Sequence, residues 1–283
     1  MKFITAFLLF AGLFYATTTL PKNGQLVFKV LDIGQGDSLY LQLPDKTDVV
    51  VDAGPDDRVL GQLGQAMPIG DREIELLVIT HNHLDHIGGL PTILSHYKVD
   101  RIWLSDATYD TKEYAELMAL LHQKLVPLTV VKMGDTTDFG PINFLVLHPP
   151  PGLAGVDPPD QHDATVALKV SYQHFCALLT GDLNFGHERQ IIDFANQNHV
   201  SLACPILKVA HHGSATATSE AWLQATRPEV AIISVGLHNL YHHPAPSTLK
   251  RLTDFGVRIF RTDRNGTVTV TSDGQHYWTK SEK

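Results

Sequence analysis

Short apolar runs and longer amphipathic segments alternate along this chain. The short runs are rich in valine, leucine and isoleucine, and such runs predict strands that are buried on one or both faces. Strands are predicted at 26–31, 38–43, 49–52, 74–80, 128–131, 144–147, 166–170, 175–180, 205–210, 230–235, 258–261 and 267–271. Helical spacing of apolar residues predicts helices at 90–97, 111–124, 185–198, 219–225 and 247–255. This alternation indicates a mixed α/β fold of two packed sheets flanked by helices, an αββα sandwich.

Composition agrees with one globular domain. The chain has 283 residues, of which 43% are hydrophobic and 18% charged, so it can bury a substantial core. We predict that this domain spans residues 25–280. The proline-rich stretch 149–159 is the single candidate domain boundary. It separates two halves that each contain strands and candidate ligands. Halves of that kind fit a sandwich better than two separable modules.

The N-terminal segment has the pattern of an export signal. Lys2 precedes an apolar run at 3–15, which has the length of a secretory signal and is short for a membrane span. Residues 1–22 are therefore predicted to be a signal peptide or an N-terminal membrane anchor, with a buried helix as the alternative. The protein is then expected to be periplasmic, extracellular or anchored to the cytoplasmic membrane. Cys176 and Cys204 are interpreted as small buried residues rather than disulfide partners.

A dense cluster of metal-ligand side chains follows the predicted strand 74–80. The segment 80–90 reads Thr-His-Asn-His-Leu-Asp-His-Ile-Gly-Gly-Leu and contains His81, His83, Asp85 and His86. If the chain leaves the strand extended, His81 and His83 point the same way and reach one ion. Asp85 and His86 then lie at the turn into a helix near Ile87 and can face a second ion. Solvated loop histidines are the alternative, but four candidates so close together favour a metal site.

This spacing, His-x-His-x-Asp-His, resembles the signature of the metallo-β-lactamase superfamily. The resemblance implies three more ligands downstream. His162 is the first of these expected ligands, because it stands three residues before Thr165, which opens an apolar strand. The alternative is that His162 is an exposed loop residue. Asp182 ends another apolar run and is expected to bridge two ions, with helix capping as the alternative. Either His211 or His212 completes the second ion's ligands; we favour His212, with His211 near the substrate.

Further fragments resemble the metallo-β-lactamase domain of ComEC-type competence proteins, which carry DNA through bacterial membranes. They include Asp-Ile-Gly-Gln-Gly-Asp-Ser at 32–38, Val-Asp-Ala-Gly at 51–54, Lys-Val-Ala-His-His-Gly-Ser at 208–214 and His-Pro at 243–244. One departure is His242, where that family usually has glycine, so the nearby loop is expected to differ in shape. The membrane helices and oligonucleotide-binding module of full competence proteins are not expected within this sequence.

The resemblance implies a site with two divalent ions, zinc first and manganese or iron as alternatives. Asp85, Asp182 and His211 are the residues predicted to take part in catalysis, with a protonated His211 or His243 assisting the leaving oxygen. Substrate-contacting or ligand-orienting roles are assigned to five further side chains: Asp37, Asp52, Lys208, Ser214 and His243. The remaining histidines, His187 among them, are interpreted as surface residues.

We therefore predict a metal-dependent hydrolase, phosphodiesterase-like or nuclease-like. Its substrate is expected to be a phosphodiester or another anionic ester, with single-stranded DNA as a candidate, and no obligate protein partner is inferred. A net charge of −8 argues against a broad nucleic-acid surface, so the substrate is expected to be held locally by the ions and Lys208. The alternatives are hydrolysis of a phosphorylcholine ester, a lactone or a thioester, and a non-catalytic binding module that retains its metal.

Overall fold

A computed structural model describes residues 24–105, 107–153 and 155–283. The predicted leader at 1–22 lies outside the described residues. Among the described helices, none is long and apolar enough to cross a membrane.

The strands form two large sheets. In chain order they are β1 (Leu26–Val30), β2 (Leu39–Gln42), β3 (Asp48–Val51), β4 (Glu73–Ile74), β5 (Leu76–Val78), β6 (Lys98–Val99), β7 (Ile102–Leu104), β8 (Leu128–Val130), β9 (Thr136–Phe139), β10 (Ile142–His148), β11 (Ala167–Tyr172), β12 (Phe175–Leu179), β13 (Ile206–Lys208), β14 (Val230–Ile233), β15 (Arg258–Arg261), β16 (Val268–Ser272) and β17 (Tyr277–Ser281). The first sheet has the order β17-β16-β1-β2-β3-β5-β7-β8, and the second β15-β14-β13-β12-β11-β10-β9. A small parallel pair joins β4 and β6.

Helices cover the outer face of each sheet. They are α1 (Arg58–Ala66), α2 (Leu84–Ile87), α3 (Leu90–His96), α4 (Lys112–Lys124), α5 (Phe185–Gln197), α6 (Glu220–Thr226), α7 (Pro246–Asp254) and α8 (Thr262–Asn265). Two 3-10 turns, Gln161–Ala164 and Ala210–Gly213, lie on the loops before β11 and after β13.

Three apolar cores hold these layers together. Because side chains of a strand alternate between its faces, Val49 and Val51 of β3 point into the core between the sheets, whereas Val50 points to the helices. The outer cores are built around Leu63 and Ile93 on one side, and around residues such as Trp222 on the other. Burial on both faces explains why the strands read as unbroken apolar runs, and the predicted αββα sandwich is confirmed.

The parallel strands at the centre of each sheet end at the same edge of the sandwich. In the first sheet β3 and β5 are parallel, with Val51 paired to Val78. In the second sheet β12 and β13 are parallel, with Leu179 paired to Lys208. The loops that follow these strands carry the candidate ligands, so strand pairing brings distant sequence segments together.

Several elements differ from the sequence prediction. Helix α1 was not predicted, because only Val59 and Leu63 of its residues are buried and two glycines interrupt its pattern. Strands β9 and β17 were also missed, since both are sheet edges with largely exposed or half-buried residues. The helix expected near Ile87 begins at Leu84, so Asp85 and His86 lie within its short turn.

The prediction for the two cysteines is wrong. Cys176 and Cys204 form a disulfide, with their Cα atoms 5.1 Å apart. Cys176 lies in β12 and Cys204 just before β13, and the parallel register that pairs Ala177 with Ile206 brings the two residues side by side. That register is a tertiary property, so the apolar surroundings alone did not reveal the bond.

Removal of the disulfide is expected to lower the free energy of unfolding by about 3 kcal/mol, because the bond closes a loop and restricts the unfolded chain. The test is urea unfolding of the double variant Cys176→Ala/Cys204→Ala beside the wild type, each with and without reductant. Reductant should destabilise only the wild type. Equal stability of oxidised wild type and double variant would contradict the prediction.

Candidate metal centre

The first candidate ligand group combines the loop after β5 with the 3-10 turn before β11. The Nε2 of His81 lies 3.1 Å from Nδ1 of His83, and the His83 ring centre lies 4.7 Å from that of His162. One nitrogen from each ring falls within 4.8 Å of the other two. His81 is buried and the other two are half-buried, so this group faces the opening of the site.

A second group lies beside the first. It consists of Asp85 and His86 in α2 and His212 in the 3-10 turn after β13. The Nε2 of His212 lies 3.3 Å from Oδ2 of Asp85. His212 has a φ of 52°, a left-handed backbone conformation that turns its ring inward.

Asp182 lies between the two groups. Its Oδ2 is 4.0 Å from Nε2 of His81 and 3.9 Å from that of His162 in the first group. The same oxygen is 3.5 Å from Nε2 of both His86 and His212 in the second group. One carboxylate is therefore shared by imidazoles from four separate positions in the sequence.

These side chains fit a bound transition-metal cation. The Nε2 atoms of His86 and His212 and Oδ1 of Asp182 are buried and have no hydrogen-bond partner among the residues that the structure describes. Buried polar atoms are normally paired, and the two imidazole nitrogens each lie 3.5 Å from Oδ2 of Asp182, so these side chains fit the donors of a metal ion. Imidazole with carboxylate is a donor set that zinc, manganese and iron all accept.

Hydrogen bonds from neighbouring residues orient the ligand rings of the second group. The Nδ1 of His86 lies 2.7 Å from Oδ2 of Asp52, and Nδ1 of His212 lies 3.0 Å from the carbonyl oxygen of Ser234. Thr80 donates to Asp52 from both its backbone nitrogen and its hydroxyl. Each ring thus presents Nε2 to Asp182, as ligand histidines require. Thr80 and Ser234 were not identified from the sequence, since nothing in their local pattern marks them.

The buried carboxylates and imidazoles of the site shift one another's pKa. Burial lowers the pKa of His86, but the carboxylates of Asp182, Asp52 and Asp85 outweigh it and hold that pKa well above its ordinary value. Burial raises the pKa of Asp182, and the neighbouring His212 and His86 outweigh it in turn and hold that pKa well below its usual range. The carboxylates therefore favour positive charge beside them, which a bound cation would supply, and metal binding is expected to release protons.

Asp37 and Lys208 form a buried ion pair beneath the second group. Both side chains are fully buried, and Nζ of Lys208 contacts Oδ2 of Asp37. The other oxygen of Asp37 lies 3.4 Å from Nδ1 of His212. The prediction that Lys208 holds the substrate is therefore wrong: its ammonium group is directed into the protein, where its partner was not visible in the local sequence.

The glycines of the 32–38 motif permit a close backbone contact with α2. A Cβ atom on Gly36 would lie 2.1 Å from the carbonyl oxygen of Asp85, and Gly36 has a φ of 127°. The backbone nitrogen of Asp37 donates to that same oxygen at 3.2 Å. The 32–38 motif therefore positions Asp85 through contacts with its backbone.

His211, His243 and Ser214 lie at the edge of the site. The Nε2 of His211 is 3.8 Å from Oδ2 of Asp182, and the His211 ring lies 5.6 Å from that of His243. Burial, with help from neighbouring histidines, lowers the pKa of His211 to about 4 and also lowers that of His243, so neither is the protonated group expected at neutral pH. The hydroxyl of Ser214 bonds Thr216 instead of facing the ligands.

His187 is not the surface residue that the sequence suggested. It is buried at the start of α5, where Nδ1 accepts a hydrogen bond from the backbone of Asn184 and Nε2 lies 2.8 Å from Asp163. Its ring packs 4.8 Å from that of His148. These contacts support the turn that carries His162, whose Nδ1 also contacts Asp160 at 2.5 Å.

Two sheets with outer helices, and histidine and aspartate clusters at the ends of their central strands, define a metallo-β-lactamase fold hydrolase. The chain belongs to this family: the model of the metallo-beta-lactamase superfamily matches residues 31–237. The crystal structure of YhfI from Bacillus subtilis, a metallo-beta-lactamase fold protein, is similar with a TM-score of 0.57 and 14% identity, covering 90% of this chain and 99% of that one.

Among curated relatives, ComE operon protein 3 of Bacillus subtilis is 30% identical over 257 residues, 84% of this chain and 32% of that protein. Competence protein ComA of Neisseria gonorrhoeae is 26% identical over 265 residues, 92% of this chain and 34% of that protein. The exodeoxyribonuclease WalJ of Streptococcus pneumoniae is 26% identical over 109 residues, 38% of this chain and 39% of that protein. The chain spans about a third of the length of the competence relatives.

Asp37→Asn is expected to lower the free energy of unfolding by about 3–5 kcal/mol, because it leaves the Lys208 ammonium buried without a counter-charge. The double variant Asp37→Asn/Lys208→Met removes both charges and should recover most of that loss. Urea unfolding measures each. The control is Asp254→Asn, which breaks an exposed pair with Lys250 and should change stability little. A double variant as unstable as the single one would contradict this account.

Gly36→Ala is expected to weaken metal binding about 10- to 100-fold, because the new methyl group displaces the Asp85 backbone. Isothermal titration of the stripped protein with zinc measures the affinity. Gly64→Ala is the matched control, since a Cβ there meets no atom within 4 Å. Unchanged zinc affinity in Gly36→Ala would show that the glycine contact does not position the ligands.

Proposed function

We propose that this chain is a phosphodiesterase with two divalent metal ions, acting on a nucleic acid strand. The observation that carries the proposal is the position of Asp182, whose Oδ2 lies 3.5 to 4.0 Å from imidazoles of both candidate groups. A carboxylate between two sets of three candidate ligands would allow two cations to be held side by side. Zinc is our first choice of metal, and manganese or iron are alternatives.

The chain's own residues set the geometry of the reaction. When bound, two divalent ions supply Lewis acidity for a phosphoryl oxygen and make water acidic enough to act near neutral pH. Asp52 and Ser234 hold the rings of His86 and His212 toward Asp182. His211 lies at the open side with 24% of its side chain exposed, and we assign its neutral ring a hydrogen bond to a substrate oxygen.

Support for a nucleic acid substrate comes from relatives that are named a competence protein and an exodeoxyribonuclease. The net charge of −8 is unfavourable for wrapping a polyanion, so we place the contact with the scissile phosphate at the ions themselves. Hydrolysis of a lactone, thioester or phosphorylcholine ester is the competing proposal, because one fold serves many chemistries.

We also propose that the domain works outside the cytoplasm, either released or anchored to the membrane by its N-terminal segment. The disulfide between Cys176 and Cys204 supports this location, because disulfides persist in oxidising compartments and are rare in reducing ones.

Purified protein loaded with zinc or manganese is expected to hydrolyse bis-p-nitrophenyl phosphate and single-stranded DNA. His83→Ala should lower turnover by at least about 100-fold and reduce the bound metal from two ions to one, because it removes a ligand of the first group. Turnover is measured from nitrophenolate release and metal content by elemental analysis.

The matched control is His122→Ala, which removes an exposed histidine on α4 far from the ligand groups in sequence. It should retain wild-type turnover and metal. A lactone and a thioester are assayed in parallel, and hydrolysis of these carbonyl esters without any phosphodiester turnover would reject the proposed substrate class.

A further inference from the structure

A surface pocket lies along the loop 236–243, which ends at His243 beside the candidate metal centre. Its volume is about 560 Å³, and its lining includes Gln35, Arg58, Asn239, Leu240 and Tyr241. The backbone nitrogen of Gly236 donates to Oε1 of Gln35, and the next residue, Gly36, lies against the carbonyl oxygen of Asp85.

Large apolar side chains in this loop face solvent. Leu237 is 66% exposed, Leu240 91% and Tyr241 67%, and a group of exposed apolar side chains in one loop is typical of a binding surface. The loop is nevertheless well anchored. The Asn239 side chain bonds both the backbone nitrogen and the carbonyl of His243, and its amide also donates to Gly236. An anchored loop that exposes an aromatic ring provides a preformed contact surface.

Stacked rings connect this surface to the metal centre. The Tyr241 ring lies 5.7 Å from the His243 ring, with 25° between their planes. The His243 ring in turn lies 6.4 Å from that of His212 at 28°, and 5.6 Å from that of His211. These rings form a continuous line from the exposed Tyr241 to the second ligand group. At the exposed end, the Tyr241 ring offers a face on which a flat ligand can stack.

The pocket offers few free charges. Arg58 is paired with Asp56 at 2.9 Å, and Lys283 lies 3.5 Å from Asp32. By contrast, the Nε2 of Gln35 is buried and has no hydrogen-bond partner in the described part of the chain. Ring stacking and amide hydrogen bonds are the interactions that recognise a nucleobase, whereas a phosphate would need unpaired cations.

We propose that the loop 236–243, with Tyr241 as its stacking ring, binds a nucleobase next to the scissile phosphate of single-stranded DNA. This inference rests on the proposed function and names how that site holds its substrate. Base stacking adds an attraction that needs no cationic side chain, since every base has a face to stack. His242 next to Tyr241 has a φ of 55°, a backbone conformation that glycine adopts more easily.

Equilibrium binding tests the proposal. A 5′-fluorescein oligothymidine with phosphorothioate linkages, which slow hydrolysis, is titrated with metal-loaded protein and followed by fluorescence anisotropy. Tyr241→Ala is expected to raise the Kd about 5- to 150-fold, the effect of one stacked base, and Tyr241→Trp should restore binding. Trp278→Ala is the matched control, because it removes another exposed aromatic ring on the edge strand β17 and should leave the Kd unchanged.

An oligonucleotide with abasic positions separates stacking from backbone contact. Wild type should bind it as weakly as Tyr241→Ala binds the complete strand, and Tyr241→Ala should weaken it no further. Equal Kd values of wild type and Tyr241→Ala for the complete strand would overturn the stacking site even if the protein cleaves DNA. Tyr241-dependent binding in a protein that hydrolyses no phosphodiester would uphold the stacking site and reject the proposed function.

Discussion

The attraction between one buried carboxylate and the imidazoles around it is the constraint on which the site depends. Asp182 lies within 4.0 Å of imidazole nitrogens from the loops after β5 and β13 and from the turn before β11. Burying these groups together is unfavourable unless charge is balanced, because each charged form loses its hydration. Positive charge beside the carboxylate, on an imidazole or on a bound cation, would meet that demand. The surrounding fold has to hold these groups at short distance in spite of the lost hydration.

The packed layers of the sandwich hold these groups in place. The ligands follow parallel strands whose side chains are buried on both faces, so the loop ends cannot move without opening an apolar core. Three residues with positive φ, Asp52, His211 and His212, lie at this edge. Such conformations persist only where neighbouring structure enforces them, and they recur at functional sites. The stability of the sandwich and the shape of the site are thus linked.

Polar contacts behind the ligand groups join the two halves of the sandwich, in addition to the apolar core between the sheets. Asp37 leaves the first sheet and pairs with Lys208 of the second, while Ser234 donates its hydroxyl to the carbonyl of Gly36. These contacts join the Gly-Gln-Gly-Asp motif to Lys208 of β13 and to Ser234 just after β14. The loop 236–243 follows Ser234 closely, and its Gly236 donates to Gln35 of the same motif.

The sequence by itself determined the layer order, most strands and helices, and the local ligand motif around His81. These depend on periodicity and short spacing, which a linear pattern records. Only the tertiary structure decided that Lys208 is buried against Asp37, that Cys176 meets Cys204 and that His187 is internal. Each of these depends on strand register or on loops from distant segments. Pairings of that kind are set by the packing of the whole chain, so no stretch of neighbouring residues encodes them.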